Sequence, residues 1–234
     1  REQLGRCRSP PPLKRIIDAP DAAPTLFPAP DLAQLLAYVR AVWDELRLLS
    51  PVWWSAQRET VLVAGFFQAL TNDERLMHHS VGFGHLILEA SKVELDATGM
   101  PKIKGRTDIV FLHGSHMGPA LVMEFKRLNN GSSLRGHYVK EGVRRFVTGQ
   151  YSPEADLGMM VGLVLGSVAT ERAALLTHLS KPAVVAAMQS KAMSHSAYGD
   201  PSQDAPSVDF DTLHDRPAGC LAAEIRVGHI LLER

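Results

Sequence analysis

Cysteine is nearly missing from this chain: Cys7 and Cys220 are the two thiols in 234 residues, and they fit no zinc-ligand spacing. A disulfide framework is thereby excluded as the basis of stability, and a reduced, cytoplasmic setting is the expectation. Long apolar runs are missing too. No stretch reaches the roughly 18 apolar residues of a membrane span, and none reads as a signal peptide. Net charge is absent, with 25 basic against 25 acidic side chains. That excludes a protein coated in basic charge but leaves room for a local basic groove. There is no Walker phosphate loop, no GxSxG elbow and no internal repeat. The chain opens on Arg1 rather than Met, as a processed or trimmed fragment would. What is left is ordinary, 45% hydrophobic and 21% charged residues, in a chain long enough for one substantial domain with its own core.

Proline marks the first boundary. Pro10, Pro11, Pro12, Pro20, Pro24, Pro28 and Pro30 crowd residues 1–30, which read as an extended tail, or as an arm that docks on a partner subunit. The domain proper is expected over 31–234. Asp31 caps a helix predicted to run to Leu49, with Leu32, Leu35, Leu36, Val39, Val42, Trp43 and Leu46 at helical spacing. Pro51 breaks it. Ser55 then starts a second helix, Ala56 to Leu70, on whose apolar side Glu59 falls. An acid there is either a first-turn residue favoured by the helix dipole or a functional group. Thr71 to Arg75 is a polar turn. His85 to Leu95 reads as a strand, with a short helix from Gly84 to Ala90 as the other reading, and Asp96 to Arg106 as a loop with Gly99, Pro101 and Gly105.

The stretch from Gly105 to Lys126, GRTDIVFLHGSHMGPALVMEFK, organises the rest. It predicts a β-hairpin: apolar Ile109–Leu112, a turn with two glycines, a serine and a proline, then Ala120–Phe125. Strand alternation puts Glu124 and Lys126 on one face and Phe125 on the other. A run apolar on both faces belongs in the middle of a sheet, where charged residues are costly unless paired or bound to metal. Asp108 opens the neighbouring strand. After a polar turn, Asn129–Gly136, comes a predicted helix from His137 to Tyr151. Val139, Val143, Phe146, Val147 and Gln150 form its stripe, while Lys140, Arg144 and Arg145 point toward solvent or a polyanion. Gln150 is either a satisfied core amide or a functional group. Leu157–Leu165 reads as a buried strand. Thr170 is a candidate cap for a helix from Glu171 to Leu179, and Pro182 opens another helix to about Met193. Ser194–Asp209 is a loop, and Cys220–Leu232 alternates as one or two final strands.

Two carboxylates at the ends of adjacent strands, with the carbonyl of Phe125, offer an all-oxygen site suited to Mg²⁺ or Mn²⁺. Lys126 stands one side chain away, able to orient water or neutralise a phosphate. Asp108 followed by Glu124-Phe125-Lys126, with Glu59 before and Gln150 after, resembles the PD-(D/E)XK nuclease superfamily, the restriction-endonuclease-like fold. The resemblance covers about Glu59 to Gly166. MEFKRL is similar to the ECKRL-type strand of some bacterial members, and GVRRFVTGQYSPEADLGMMVGLVLG to the helix-then-strand block that follows it. Thr107 stands where the family name expects proline. The resemblance implies a three-layer α/β/α sandwich around a mixed sheet and metal-dependent hydrolysis of phosphodiesters, DNA before RNA. It also implies a bacterial restriction or phage-defence setting, with a homodimer or partner protein as common company. The implied metal ligands are Asp108, Glu124 and Phe125, assisted by Glu59. The implied catalytic set is Glu59, Asp108, Glu124, Lys126 and Gln150.

Arg106, Arg127, Arg135, Lys140, Arg144 and Arg145 flank this site in sequence and are candidates for a phosphate-binding rim; a solvated face is the plainer reading. A zinc site at His113 and His116 lacks neighbouring acids at ligand spacing. His229 reads as a packed or surface histidine. Trp43, Trp53 and Trp54 read as core anchors before base-stacking groups. The rival to a nuclease is a nuclease-fold relic that binds nucleic acid or assembles with a partner; metal-independent hydrolysis by the acid–lysine pair is a third possibility.

Overall fold

The computed structural model describes residues 27–89, 91–95, 101–106, 108–114, 118–193, 198–202 and 205–234, with the backbone alone for 91–95 and 101–106. The tail up to residue 26, Thr107, His116 and the side chain of Arg106 lie outside the described residues.

The first helix, α1 (Ala29–Leu49), begins two residues before the expected cap. Pro28 stands at its N-cap and Pro30 in its first turn, where a missing N–H costs nothing. Asp31 lies in that first turn and pairs with His113 at 2.6 Å. After a 3-10 turn (Val52–Ser55) the chain runs extended to Arg58, so α2 (Glu59–Leu70) starts later than Ser55 suggested. The expected polar turn is instead a short helix, α3 (Asp73–His78), because Asn72 accepts the Arg75 amide at its start. Each shift has one origin: several residues can cap, and packing chooses among them.

Among the described residues nine strands follow. A seven-stranded mixed sheet runs in the order β1-β4-β5-β6-β9-β8-β7, and β2-β3 form a separate pair. The expected strand over His85–Leu95 divides into β1 (Gly84–Leu88) and β2 (Ser91–Leu95), which belong to different sheets. Part of the expected loop before Arg106 is β3 (Pro101–Arg106), antiparallel to β2. The predicted hairpin is present as β4 (Ile109–His113) and β5 (Ala120–Leu128), antiparallel with Ile109 opposite Met123. A helical crossover leads from β5 to β6 (Leu157–Val164), which runs parallel to it. β7 (Ser190–Lys191), β8 (Phe210–Asp215) and β9 (Glu224–Glu233) complete the sheet, with β9 parallel to β6.

Alternation along β4, β5 and β6 sorts the core into two layers. Ile109, Met123, Phe125, Met159 and Val161 pack beneath α1 and α2. Val110, Val122, Leu128 and Met160 pack on the other face, with Tyr138, Val143, Phe146 and residues of α6 (Val168–Leu179). The molecule is therefore an α/β fold with helices on both faces of a mixed sheet. Ser167, not Thr170, caps α6, and α7 (Pro182–Ala187) stops well short of Met193. Among the described residues no helix is long and apolar enough to cross a membrane.

The crossover helix departs most from expectation. It starts at Ser132 as α4 (Ser132–His137), continues through a π turn (Tyr138–Val143) and ends as α5 (Arg144–Val147). Gly149, at φ +69°, takes the left-handed conformation just past its end. Gln150 therefore lies beyond the helix and does not extend its apolar stripe.

The π turn is anchored by a buried polar chain. Met188 O accepts from His214 Nδ1 at 2.9 Å, so His214 Nε2 carries no proton and accepts from Thr212 Oγ1 at 2.8 Å. Thr212 Oγ1 accepts from His229 Nε2 at 2.9 Å, and His229 Nδ1 accepts from the Tyr138 hydroxyl at 2.9 Å. Of the two readings of His229, packed or surface, it is the packed one, fully buried. Burial drives the His214 pKa down to about 4, opposed in part by its bond to the Met188 carbonyl. Burial also holds His229 well below the ordinary value. As pH falls from about 6.5 to about 4, the unfolded chain takes up protons that the folded chain refuses, so stability from this pair is lost over that window. The ring signals of His214 in a pH-dependent NMR titration are expected to move with a midpoint near 4. A midpoint above about 6 would show that the chain of donors is not as described.

Candidate active site

Asp108 immediately precedes β4. Ile109 faces Met123, so one step further along the antiparallel pair Asp108 faces Glu124, and directly opposed residues share a face of the sheet. Asp108 Oδ2 accepts the amide of Phe125 at 2.7 Å, which turns its carboxylate toward β5. Glu124 is 1% exposed.

Lys126 lies two residues on, on the same face. Its ammonium meets three oxygens: Phe125 O at 2.7 Å, Glu124 Oε1 at 2.9 Å and Glu59 Oε1 at 3.1 Å. Glu59 also accepts the backbone amide of Arg127 at 2.8 Å through its other oxygen. It is thus the first residue of α2, as the first-turn reading had it, and stands in the cluster as well. The crossover helix passes close above. A Cβ on Gly142 would stand 2.3 Å from the tip of Met160 and 3.7 Å from Cγ of Lys126. Glycine in the π turn lets the helix approach the two strands that carry the site.

Arg145 is the residue whose role sequence reasoning missed. Expected to point outward, it turns in, and its guanidinium donates to Glu124 Oε1 at 2.9 Å and to the Tyr151 hydroxyl at 2.5 Å. Tyr151 is held in turn by a loop clamped from below. The buried guanidinium of Arg216 donates to the carbonyls of Phe146, Tyr151, Ser152, Pro153 and Ala155. No spacing rule could have revealed Tyr151 or Arg216; both act through contacts made only in the folded chain.

The other rim candidates divide. Arg127 binds Gln57 and ties the segment before α2 to β5. Arg135 pairs with the fully buried Glu171 at 2.9 Å. Both side chains are engaged within the protein. Lys140 and Arg144 are exposed and, with Arg145 and Gln150, line a cavity of about 250 Å³ beside the cluster. Gln150 is half-buried at this cavity. Trp43 is a buried core anchor, its indole N–H donating to Glu233 O at 2.7 Å, and Trp53 and Trp54 pack against the same core.

Three carboxylates and two cations meet here, so the fully ionised cluster carries one net negative charge. Burial pushes the Glu124 pKa up to about 7, and the neighbouring charge of Asp108 pushes the same way, against Lys126 and Arg145. Asp108 is raised as well, first by burial, with Lys126 and the Phe125 amide opposing. Burial works against the charge of Lys126, but Glu124, Glu59 and Asp108 outweigh it and hold the ammonium above the ordinary lysine value. Glu124 Oε2 is buried and has no hydrogen-bond partner among the described residues. A carboxylate oxygen left so is costly unless something positive completes it. Among the described residues no cluster of three or more histidine, cysteine, aspartate or glutamate side chains forms a ready cation cage. The available donors are the carboxylates of Asp108 and Glu124 and the carbonyl of Phe125. Compared with protein families, curated proteins and solved structures, the chain matches none.

The electrostatic coupling can be read directly. Asp108→Asn removes a like charge and should lower the Glu124 pKa, whereas Arg145→Ala removes an opposite charge and should raise it. A carboxyl ¹³C titration of Glu124 in each variant checks the two directions, and shifts of the same sign in both would refute the arrangement. Because Glu124 is raised in the folded state, its contribution to stability is present at low pH and lost as pH rises through about 7.

Proposed function

We propose that this chain is a divalent-metal-dependent nuclease of the PD-(D/E)XK type, hydrolysing phosphodiester bonds of DNA on a restriction-endonuclease-like version of the α/β/α fold. One observation carries the reading: Asp108, Glu124 and Lys126 share one end of the β4–β5 hairpin, with a buried carboxylate oxygen that lacks a hydrogen-bond partner among the described residues. The strand arrangement supports it, an antiparallel hairpin followed through a helical crossover by a parallel strand. So does the meeting of Glu59, from a helix on one face, with Lys126 on β5.

Mg²⁺ or Mn²⁺ fits this donor set, which is hard oxygen throughout and one negative charge in excess. Asp108, Glu124 and the Phe125 carbonyl would hold the ion, with Glu59 assisting. When bound, such an ion supplies charge neutralisation at the scissile phosphate and acidifies the attacking water. Lys126 positions that water or neutralises a phosphate oxygen. Arg145, paired with Glu124 at 2.9 Å, would receive a second phosphate oxygen. Lys140 and Arg144, both exposed, provide sequence-independent contacts to flanking phosphates. Gln150 lies beside them and orients Lys126 or a phosphate. A cytoplasmic restriction or phage-defence role, alone, as a homodimer or with a partner protein, is the setting this activity suggests.

A second reading has its own observation. Lys126 and Arg145 already occupy Glu124 Oε1, which is how a nuclease-fold relic serving as a binding or assembly module would close its old site.

Incubation with plasmid, linear duplex, single strands and RNA, with and without Mg²⁺, tests the proposal. Metal-dependent cleavage is expected. Asp108→Ala and Glu124→Ala should abolish it, and Lys126→Ala should reduce it by roughly 10²–10⁴-fold, the range of a positioned proton-transfer group. Calorimetric Mg²⁺ binding should disappear in Asp108→Ala. Undiminished cleavage in all three variants would overturn the site assignment, and a wild-type protein that neither cleaves nor binds metal would establish the relic.

A further inference from the structure

The crossover helix carries a stripe of side chains that leads away from the acid cluster. At its near end, Arg145 and Gln150 line the cavity of about 250 Å³ together with Lys140, Glu141, Arg144 and Thr148. A larger cavity, about 610 Å³, opens between the same helix and α6–α7. The two share Lys140 and Glu141, so they adjoin along one helix face. The larger lies within the span of roughly 300–1,000 Å³ typical of ligand pockets.

The chemistry of this track is two-sided. Arg145, Arg144, Lys140, His137 and His178 line it, against Glu141 as its acid. Lys181 stands beside His178, their nitrogens 3.5 Å apart. Burial and then the charges of Lys181, Arg135 and Lys140 hold the His178 pKa below its ordinary value, the mark of a positive local field. The floor of the wide end is apolar instead. Val139 and Met188 are buried there, Val184 is half-buried, and Ala183 and Ala187 of α7 form the rim.

We infer that this track binds a single nucleic-acid strand, with its phosphates along Arg145, Arg144 and Lys140 and an unstacked base in the apolar cavity between the π turn and α7. The inference rests on the nuclease reading for the identity of the anion and deepens it by naming the form of the substrate. A duplex keeps its base faces stacked inside, so its phosphates would match the cations while the apolar floor went unused. A splayed strand offers both a phosphate line and an apolar π-face, the pairing that single-strand sites use. The helix spans about 18 Å between Ser133 and Arg145, room for a few nucleotides leading into the acid cluster. Its other end, at Arg145, touches Glu124 itself.

The test is fluorescence anisotropy of a short labelled single strand and of the matching duplex, in EDTA so that binding is read without cleavage. The single strand is expected to bind at least about tenfold tighter than the duplex, the worth of about one stacked base. Ala187→Glu and Ala183→Glu each place a negative charge at the rim of the apolar cavity. Ala187 is exposed on α7, and circular dichroism confirms folding of each variant. Each should weaken single-strand binding about tenfold and leave duplex binding unchanged. Equal affinity for strand and duplex, or folded variants that bind the strand like wild type, would overturn the track. A parallel Mg²⁺ digestion separates the two readings. Selective strand binding without any cleavage sinks the nuclease and keeps the track; cleavage with unselective binding does the reverse.

Discussion

A carboxylate buried in mid-strand is the constraint that the rest of this structure answers. Glu124 sits on β5 between β4 and β6, 1% exposed, where an unpaired charge would cost several kcal/mol. Its Oε1 receives an ammonium from the same strand and a guanidinium from the crossover helix. Each of those cations is held from elsewhere. Glu59 brings the start of α2 to Lys126 and fixes the Arg127 amide, so the helix layer on the opposite face is tied to β5 at this point. Tyr151 receives Arg145, and Arg216 gathers the carbonyls of the loop on which Tyr151 rides. The cluster thus couples both helix layers to the central strands, and loss of Lys126 or Arg145 would leave the buried Glu124 with one cation fewer against that penalty.

The π turn connects this cluster to the far side of the sheet. Tyr138 opens the turn and is hydrogen-bonded to His229 on β9, while Gly142 within it lies over Met160 and the stem of Lys126. A π turn adds a residue to the helical circuit and is seldom kept without local reason. Here it lets one helix satisfy two depths at once: a polar anchor reaching down to β9 and a close glycine contact over β5 and β6. Because His229 and His214 are held neutral, that anchor brings no charge into the apolar layer.

How much of this was legible depends on whether the signal was local. The β4–β5 hairpin and the common face of Glu124 and Lys126 follow from alternation, which is a property of a single strand. β6 was legible as an unbroken apolar run. Helix starts were not, because capping residues are plentiful: Ser167 wins over Thr170, Asn72 caps where a turn was expected, and α2 starts at Glu59 after an extended segment that Ser55 did not foreshadow. Gln150 fell on an apolar stripe only so long as the helix was taken to continue past Gly149. Arg145 read as outward because it lies off the apolar stripe, yet a long stem lets a side chain on the flank return to a buried partner. Tyr151 and Arg216 carried no pattern at all, since their roles consist of tertiary contacts.

The cluster also bears on what the site is for. A set of charges serving only to hold helices to a sheet would be at least as stable if replaced by well-packed apolar side chains. It would also have its charges matched and its oxygens filled. This one has three acids against two cations, two carboxyl groups pushed toward protonation first by burial and then by a neighbouring carboxylate, and an oxygen of Glu124 without a hydrogen-bond partner among the described residues. Each feature costs the fold stability, and each would be relieved by the arrival of positive charge. Arrangements in which titratable groups are held away from their ordinary values at such cost are typical of sites that bind or react. The imbalance is in favour of a cation, and the cations of the adjoining helix face extend away from it in the direction a polyanion would lie. A buried negative centre with a positive approach is the combination that the proposed metal ion and phosphate would need.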